Sequence, residues 1–425
     1  MNDYGWSHLT RRDKEAILKG LGTGDCFGGP YHVEIHPSSR CGLRCFFCST
    51  HSWRTRQDLP LATIERLAVE MESMGTRAVC LSGGGEPLCH PHALEMIHCL
   101  ASHKVPVGHL TTNGQHLAPE IADALIDTGC RQVIVSMNCG TASTYAKMMN
   151  TSPDVFHRVS RNIASLVSRR QRNRSGNPSV LLQFLVYKHN VDTIPEMYEH
   201  ACSLGVDSIV FNGLSFLAPA DRMNEAETRT MFKHLRAVML RDEYRRVLGV
   251  NSFEHDMRTF VHQIEAEIGE RRKHLSAVRR LHSTLTRRDY SWRQKWNHHW
   301  RMRRRTEQKR LISDNIDPCI RPWYSLTVRT DGSVPVCCAR QEQILANLDA
   351  GSLSDIWFGS RFQRLRTSMQ AAITQGSSWR ADEDPDSGVA SRCSAASSGI
   401  ERCPFRSFYF SGDQRFMHGI TTLIS

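Results

Sequence analysis

Nothing in this 425-residue sequence is built to cross a bilayer. No run approaches the roughly 20 consecutive apolar residues that a spanning helix needs. The opening residues, MNDYGWSHLTRRDKEAILKG, lack the apolar core segment of a secretory signal. No internal repeat at a solenoid period stands out. The 15 cysteines are too few for a disulfide scaffold of this length, and their number is odd. These absences lead to the expectation of a soluble, cytoplasmic protein with reduced thiols. There, closely spaced cysteines are metal ligands or catalytic groups rather than bridges. Global disorder is excluded as well, since 40% of residues are apolar and 23% charged.

What is present is a strand followed by a helix, many times over. Short apolar runs occur at His32–His36, Ala78–Leu81, Val107–Leu110, Val133–Met137, Val180–Val186 and Ser208–Phe211. Between them, LATIERLAVEMESMG, ALEMIHCLASHK and EIADALIDTG carry apolar residues at intervals of three and four, the helical period. The pattern predicts an α/β fold with a parallel sheet, either a partial (βα)6 barrel of TIM type or an open doubly wound sheet. It spans residues 31–220, after an N-terminal extension over 1–30. From Glu225 (EAETRTMFKHLRAVMLRDEYRRVL) the period is helical throughout. The helical, Arg-rich insert spans 221–317 and holds 15 Lys and Arg against 2 Asp and Glu over residues 271–310. The formal charge of the chain is +11, so the remainder carries net −2 and the basic character belongs to this one segment. Trp292, Trp296 and Trp300 share one helical face there. Residues 318–425 then read as a small α+β domain. WYSLTVRTDGSVPVCC alternates about an Asp331-Gly332 turn, which predicts a hairpin.

The sharpest motif is RCGLRCFFCST, with Cys41, Cys45 and Cys48 in C-x3-C-x2-C spacing. It lies beyond the carboxyl end of the first strand, the end where ligand sites gather in parallel sheets. Three thiolates in one loop can hold three irons of a [4Fe–4S] cube and leave the fourth open to a small molecule. A Cys3His zinc site using His36 or His51 is the alternative.

This loop resembles the signature of the radical S-adenosylmethionine (radical SAM) superfamily, in which Phe47 before the last cysteine also fits. The resemblance covers about residues 31–215 and implies a partial (βα)6 barrel, a SAM-binding [4Fe–4S] cluster, and SAM itself. It implies reductive cleavage of SAM to a 5′-deoxyadenosyl radical that takes hydrogen from a substrate. Ser82-Gly83-Gly84-Gly85-Glu86-Pro87 is similar to the GGEP element whose backbone and Glu bind the SAM amino group. By the same resemblance Thr112 and Asn113, with Ser136 and Asn138, stand where polar groups bind the SAM ribose and carboxylate. Gln183 and Asn212 would line the adenosyl pocket. Cys139, beside Asn138, stands where a thiol could return a hydrogen atom, as an epimerase requires.

A second cysteine group resembles the opening of SPASM and twitch domains, which carry auxiliary [4Fe–4S] clusters: Cys319, a hairpin with Gly332 in its turn, then Cys337 and Cys338. The dense cysteine run of a full SPASM domain is missing. That count suits one auxiliary cluster, on Cys319, Cys337 and two of Cys338, Cys393 and Cys403, with Cys393 and Cys403 the favoured pair. The expected substrate is a polar small molecule of the sugar, aminocyclitol or nucleoside type, undergoing oxidation, epimerisation or deoxygenation. Only 30 residues precede the first strand, which lowers the expectation of a leader-peptide grip. A maturase of a ribosomal peptide or protein and an RNA-modifying enzyme stay open as alternatives. The expected partners are the substrate and a reductant such as flavodoxin or ferredoxin, with no membrane, and with nucleic acid disfavoured.

Overall fold

A computed structural model describes residues 9–213, 223–241, 247–251 and 321–374, apart from 49, 51–53 and 338–339. The chain divides into two compact units, Met1–Glu254 with Ile320–Ser425, and His255–Cys319. The second unit, with the basic segment and its three tryptophans, lies outside the described residues.

The first unit is built on an eight-stranded sheet in the order β7-β6-β5-β4-β3-β2-β1-β8. Its strands are β1 (His32–Ile35), β2 (Ala78–Leu81), β3 (Val107–Thr112), β4 (Gln132–Ser136), β5 (Ser179–Val186), β6 (Ser208–Gly213), β7 (Val247–Asn251) and β8 (Ser325–Val328). All neighbours are parallel. The sequence pattern could not separate a partial barrel from a doubly wound sheet. The order decides it: β1 to β7 follow one another without reversal. Right-handed crossovers then put the helices that connect these strands on the same side of the sheet, as in a barrel. The first six strands are those expected from sequence.

Two strands come from elsewhere. The helix that begins at Glu225 ends at Met239, short of the helical run read from sequence, and Val247–Asn251 forms β7 instead. An unpaired edge of β6 offers a ladder of backbone groups that an extended segment satisfies. The expected hairpin is also corrected. Asp331-Gly332 does turn the chain: Gly332, at φ +73°, donates to the Arg329 carbonyl at 3.0 Å. The flanking strands then diverge. The preceding one, β8, pairs with β1, while β9 (Ser333–Cys337) pairs antiparallel with β10 (Arg340–Asn347). All four residues of β8 are buried, and this favours a place in the large sheet over an exposed ribbon.

Helices between strands follow from local rules. Pro153–Arg172 starts at Ser152, whose hydroxyl accepts from Asp154 N–H, with Pro153 at the first position. Its buried Val155, Val159, Ile163 and Leu166 fall on one stripe. The N-terminal helix, Arg11–Thr23, opens with a capping box of Thr10 and Asp13 and closes at Gly24 in the left-handed region. The helix Ser360–Thr374 packs against it, and Gln370 donates to the Gly22 carbonyl at 3.2 Å. Trp323 and Trp357 donate to the carbonyls of Asp25 and Gly28. No described helix is long and apolar enough to cross a membrane.

Asp13 fastens the N-terminal helix to the start of β2. Its two oxygens accept from Arg77 Nε and Nη2, both at 2.9 Å. Burial pushes the Asp13 carboxyl up, but the Arg77 guanidinium and Thr10 outweigh it and hold it below its ordinary value. Arg77→Ala leaves that buried carboxylate unpaired and is expected to cost about 2–3 kcal/mol, the guanidinium itself being partly exposed. A depressed carboxylate stabilises the fold above its unfolded pKa and loses that contribution as pH falls through the folded value. Urea midpoints of wild type and variant should therefore differ at pH 7 and converge in acid. Equal midpoints at pH 7 would show that the pair contributes nothing.

Candidate active site

The cysteine loop is a closed excursion from the carboxyl end of β1. Its two roots are stapled together: Leu59 N–H donates to the Pro37 carbonyl, Ser39 N–H to the Gln57 carbonyl, and Ser38 Oγ to Asp58 Oδ1 at 2.6 Å. Arg40 pairs with Asp58 at 2.9 Å. This short antiparallel base fixes where Cys41 begins. Arg44 N–H donates to the Met149 carbonyl, which ties the loop tip to the helix Ala142–Met149.

The glycine-rich turn after β2 runs against that root. Glu86 N–H donates to the Arg40 carbonyl at 2.7 Å. A Cβ on Gly85 would stand 2.5 Å from the Arg40 carbonyl oxygen, so the two backbones can approach this closely only with glycine there. Gly83 sits at φ +121°, and a side chain on it would strike the His36 ring.

Glu86 is the centre of the polar wall, at 2% exposure. Its carboxylate accepts from Thr112 Oγ1 at 2.5 Å, Asn113 N–H at 2.6 Å and Leu88 N–H at 3.2 Å. Burial pushes its pKa up to about 7 despite those three donors. Asn113 also reaches the cysteine loop, its Nδ2 lying 3.6 Å from Cys41 Sγ. The ends of β2 and β3 and the cysteine loop thus meet through one buried carboxylate.

A pocket of about 280 Å³ opens between them. Cys41, Cys45, Cys48 and Phe47 line it from the loop. Gly85, Glu86, Thr112, Asn113, Ser136 and Asn138 line it from the strand ends. The structure so brings together ten of the residues singled out from sequence. Gly84, Pro87, Gln183, Asn212 and Cys139 are not among its lining. Arg54, Met149 and Leu185, which the sequence reading did not single out, are. Only the spacing of Arg54, six residues beyond Cys48, could have flagged any of them.

Two placements bear on the residue roles. Asn138 adopts φ +59° and spends its side chain on backbone: Nδ2 donates to the Ser136 carbonyl and Oδ1 accepts from Leu185 N–H at 3.1 Å. It braces the β4 and β5 ends. Cys139 is fully buried and its thiol donates to Met148 Sδ at 3.4 Å. Burial pushes it up to about 12, with Cys45 adding to the effect. Its thiol is not among the groups that line the pocket.

The three loop cysteines carry free thiols. Burial, with Cys41 and Cys48 as neighbours, pushes Cys45 up to about 12. Among the described residues no three His, Cys, Asp or Glu groups converge closely enough for a single metal ion. His36 is turned toward Glu34 at 3.2 Å, and His51 lies outside the described residues. Three soft donors lining one pocket suit a cluster in which each binds a different iron. Of the second cysteine group, Cys337 ends β9 opposite Arg340. Cys319, Cys338, Cys393 and Cys403 lie outside the described residues.

Comparison with known proteins agrees with this geometry. Residues 35–201 match the radical SAM superfamily, and residues 319–382 match the SPASM iron–sulfur cluster-binding domain. That second match ends before Cys393 and Cys403. One curated relative is the tungsten-containing aldehyde ferredoxin oxidoreductase cofactor-modifying protein of Pyrococcus furiosus, 27% identical over 191 residues. The match covers 44% of this chain and 52% of that protein. Another is a GTP 3′,8-cyclase of Marinobacter nauticus, 27% identical over 181 residues, 41% of this chain and 52% of that one. The chain thus aligns with about half the length of each. Among solved structures, Streptococcus suis SuiB bound to S-adenosylmethionine superposes with a TM-score of 0.54 at 14% identity. That match covers 84% of this chain and 72% of the other, and it shows a shared fold.

Proposed function

We propose that this chain, a radical SAM protein with a C-terminal SPASM domain, abstracts hydrogen from a polar small molecule of the sugar or nucleoside class. The observation that carries the reading is the single pocket shared by Cys41, Cys45, Cys48 and the buried Glu86. Cys41, Cys45 and Cys48 would hold a [4Fe–4S] cluster. When bound and reduced, such a cluster would supply the one-electron chemistry that cleaves SAM to methionine and a 5′-deoxyadenosyl radical. Glu86 presents a carboxylate to an ammonium group, and a cation there would draw its proton off near neutral pH. Thr112 and the Asn113 N–H fix its orientation. Phe47, Met149 and Leu185 supply apolar wall that keeps water from the reacting carbon. A flavodoxin or ferredoxin type of protein would deliver the electron. The SPASM domain would hold the auxiliary cluster, with Cys319 and Cys337 among its ligands.

The small-molecule reading draws support from the curated relatives, whose names place one on GTP and another on the cofactor of an oxidoreductase. The experiment is an anaerobic incubation with SAM, dithionite and deuterated candidates, following label into 5′-deoxyadenosine. Transfer from a nucleoside or sugar phosphate is the expected result. Label arriving only from a peptide would overturn the substrate class. Absence of 5′-deoxyadenosine from reconstituted protein would overturn the activity itself.

A further inference from the structure

The stretch that leads out of the cysteine loop turns one cation back onto it. Arg54 Nη2 donates to Cys48 Sγ at 2.9 Å, and its Nη1 donates to the Leu43 carbonyl at 3.2 Å. Leu43 is itself buried, and the Arg54 Nε is enclosed by protein without a partner. Among the described residues Arg54 forms no ion pair with a carboxylate. Its charge is therefore committed to sulfur, and the second arm of the fork keeps it there. Thr50 Oγ1 lies 3.2 Å from the same sulfur, but a neutral hydroxyl cannot supply the charge that the guanidinium does.

We propose that Arg54 sets the reduction potential of the cluster held by Cys41, Cys45 and Cys48, a role that rests on the function proposed above. Reduction adds one electron, taken from the external reductant, to iron–sulfur core and thiolates alike. A guanidinium hydrogen-bonded to one of those thiolates stabilises the more negative state and raises the potential. The Leu43 anchor prevents the charge from swinging into solvent, where screening would cancel most of the effect. Arg54 is thus a tuning residue that acts through Cys48.

The test is an anaerobic redox titration of the full chain, read by electron paramagnetic resonance. The signal that changes on adding SAM identifies this cluster among any others. Arg54→Gln should retain wild-type iron content, while its reduced-to-oxidised ratio at a fixed poise falls about tenfold. For a one-electron couple that is a shift of about 59 mV to more negative values. Arg54→Lys, which keeps charge but loses the fork, should fall between the two. An unchanged midpoint in Arg54→Gln overturns the proposal, even if SAM binding weakens, since that result would place Arg54 on the ligand. Loss of the SAM-sensitive signal in both variants also overturns it, and would make Arg54 a clamp on the loop through Leu43. Wild-type protein that binds no iron at these cysteines would instead overturn the function itself.

Discussion

Cys45→Ala abolishes 5′-deoxyadenosine formation and removes about four of about eight irons. Two clusters of four account for the starting figure, and the variant should keep the auxiliary one. The middle cysteine is the informative choice. It lines the pocket, its sulfur touches Met149 Sδ at 3.1 Å, and both other thiols raise its pKa. A cube that already leaves one iron for a small molecule cannot spare a second protein ligand. Alanine leaves the loop base untouched, because Pro37, Ser38, Ser39, Gln57, Asp58 and Leu59 make it. The measurements are iron content, circular dichroism to verify folding, and chromatography of SAM products under dithionite. Continued cleavage of SAM by the folded variant would sink the assignment of the cluster to this loop.

Glu86→Gln weakens SAM binding about 10- to 100-fold and removes its dependence on pH. The magnitude is that of a hydrogen bond to a charged group, about 1.5–3 kcal/mol. In wild type the carboxyl titrates at about 7, because burial outweighs the Thr112, Asn113 and Leu88 donors. The ionised form binds an ammonium, so SAM affinity should rise as pH climbs through about 7. The sign for the ligand-free protein is opposite. A raised carboxyl pKa favours the fold below the ordinary glutamate value, and that contribution is lost as pH rises toward about 7. Glutamine also places an amide N–H where Asn113 N–H now donates, so the variant should be less stable. Equilibrium dialysis of SAM at pH 6 and pH 8 separates the two effects. The same pH slope in both proteins would show that Glu86 does not meet the SAM ammonium.

The first six strands and the cysteine loop were legible because their signals are local. Apolar runs such as VLLQFLV name a buried parallel strand by composition, and three cysteines within eight residues name a soft-metal loop by spacing. Val247–Asn251 and Ser325–Val328 were misread in role because pairing partners lie far along the chain. Strand β7 needs the free edge of β6, and β8 needs β1 nearly 300 residues earlier. Arg54, Met149 and Leu185 were missed for the same reason: each belongs to the pocket only after distant segments meet.

By itself the sequence determined the chemistry available: which residues can bind iron, which turn must be glycine, and where strands and helices lie. Those properties depend on residue type and on neighbours a few positions away. The tertiary structure alone decided which groups share a site. It enclosed Glu86 and so raised its pKa, spent Asn138 on backbone, buried Cys139 against Met148, and aimed Arg54 at Cys48. Burial and orientation are set by contacts between β1, β2, β3 and the loops they carry, and no local pattern encodes them.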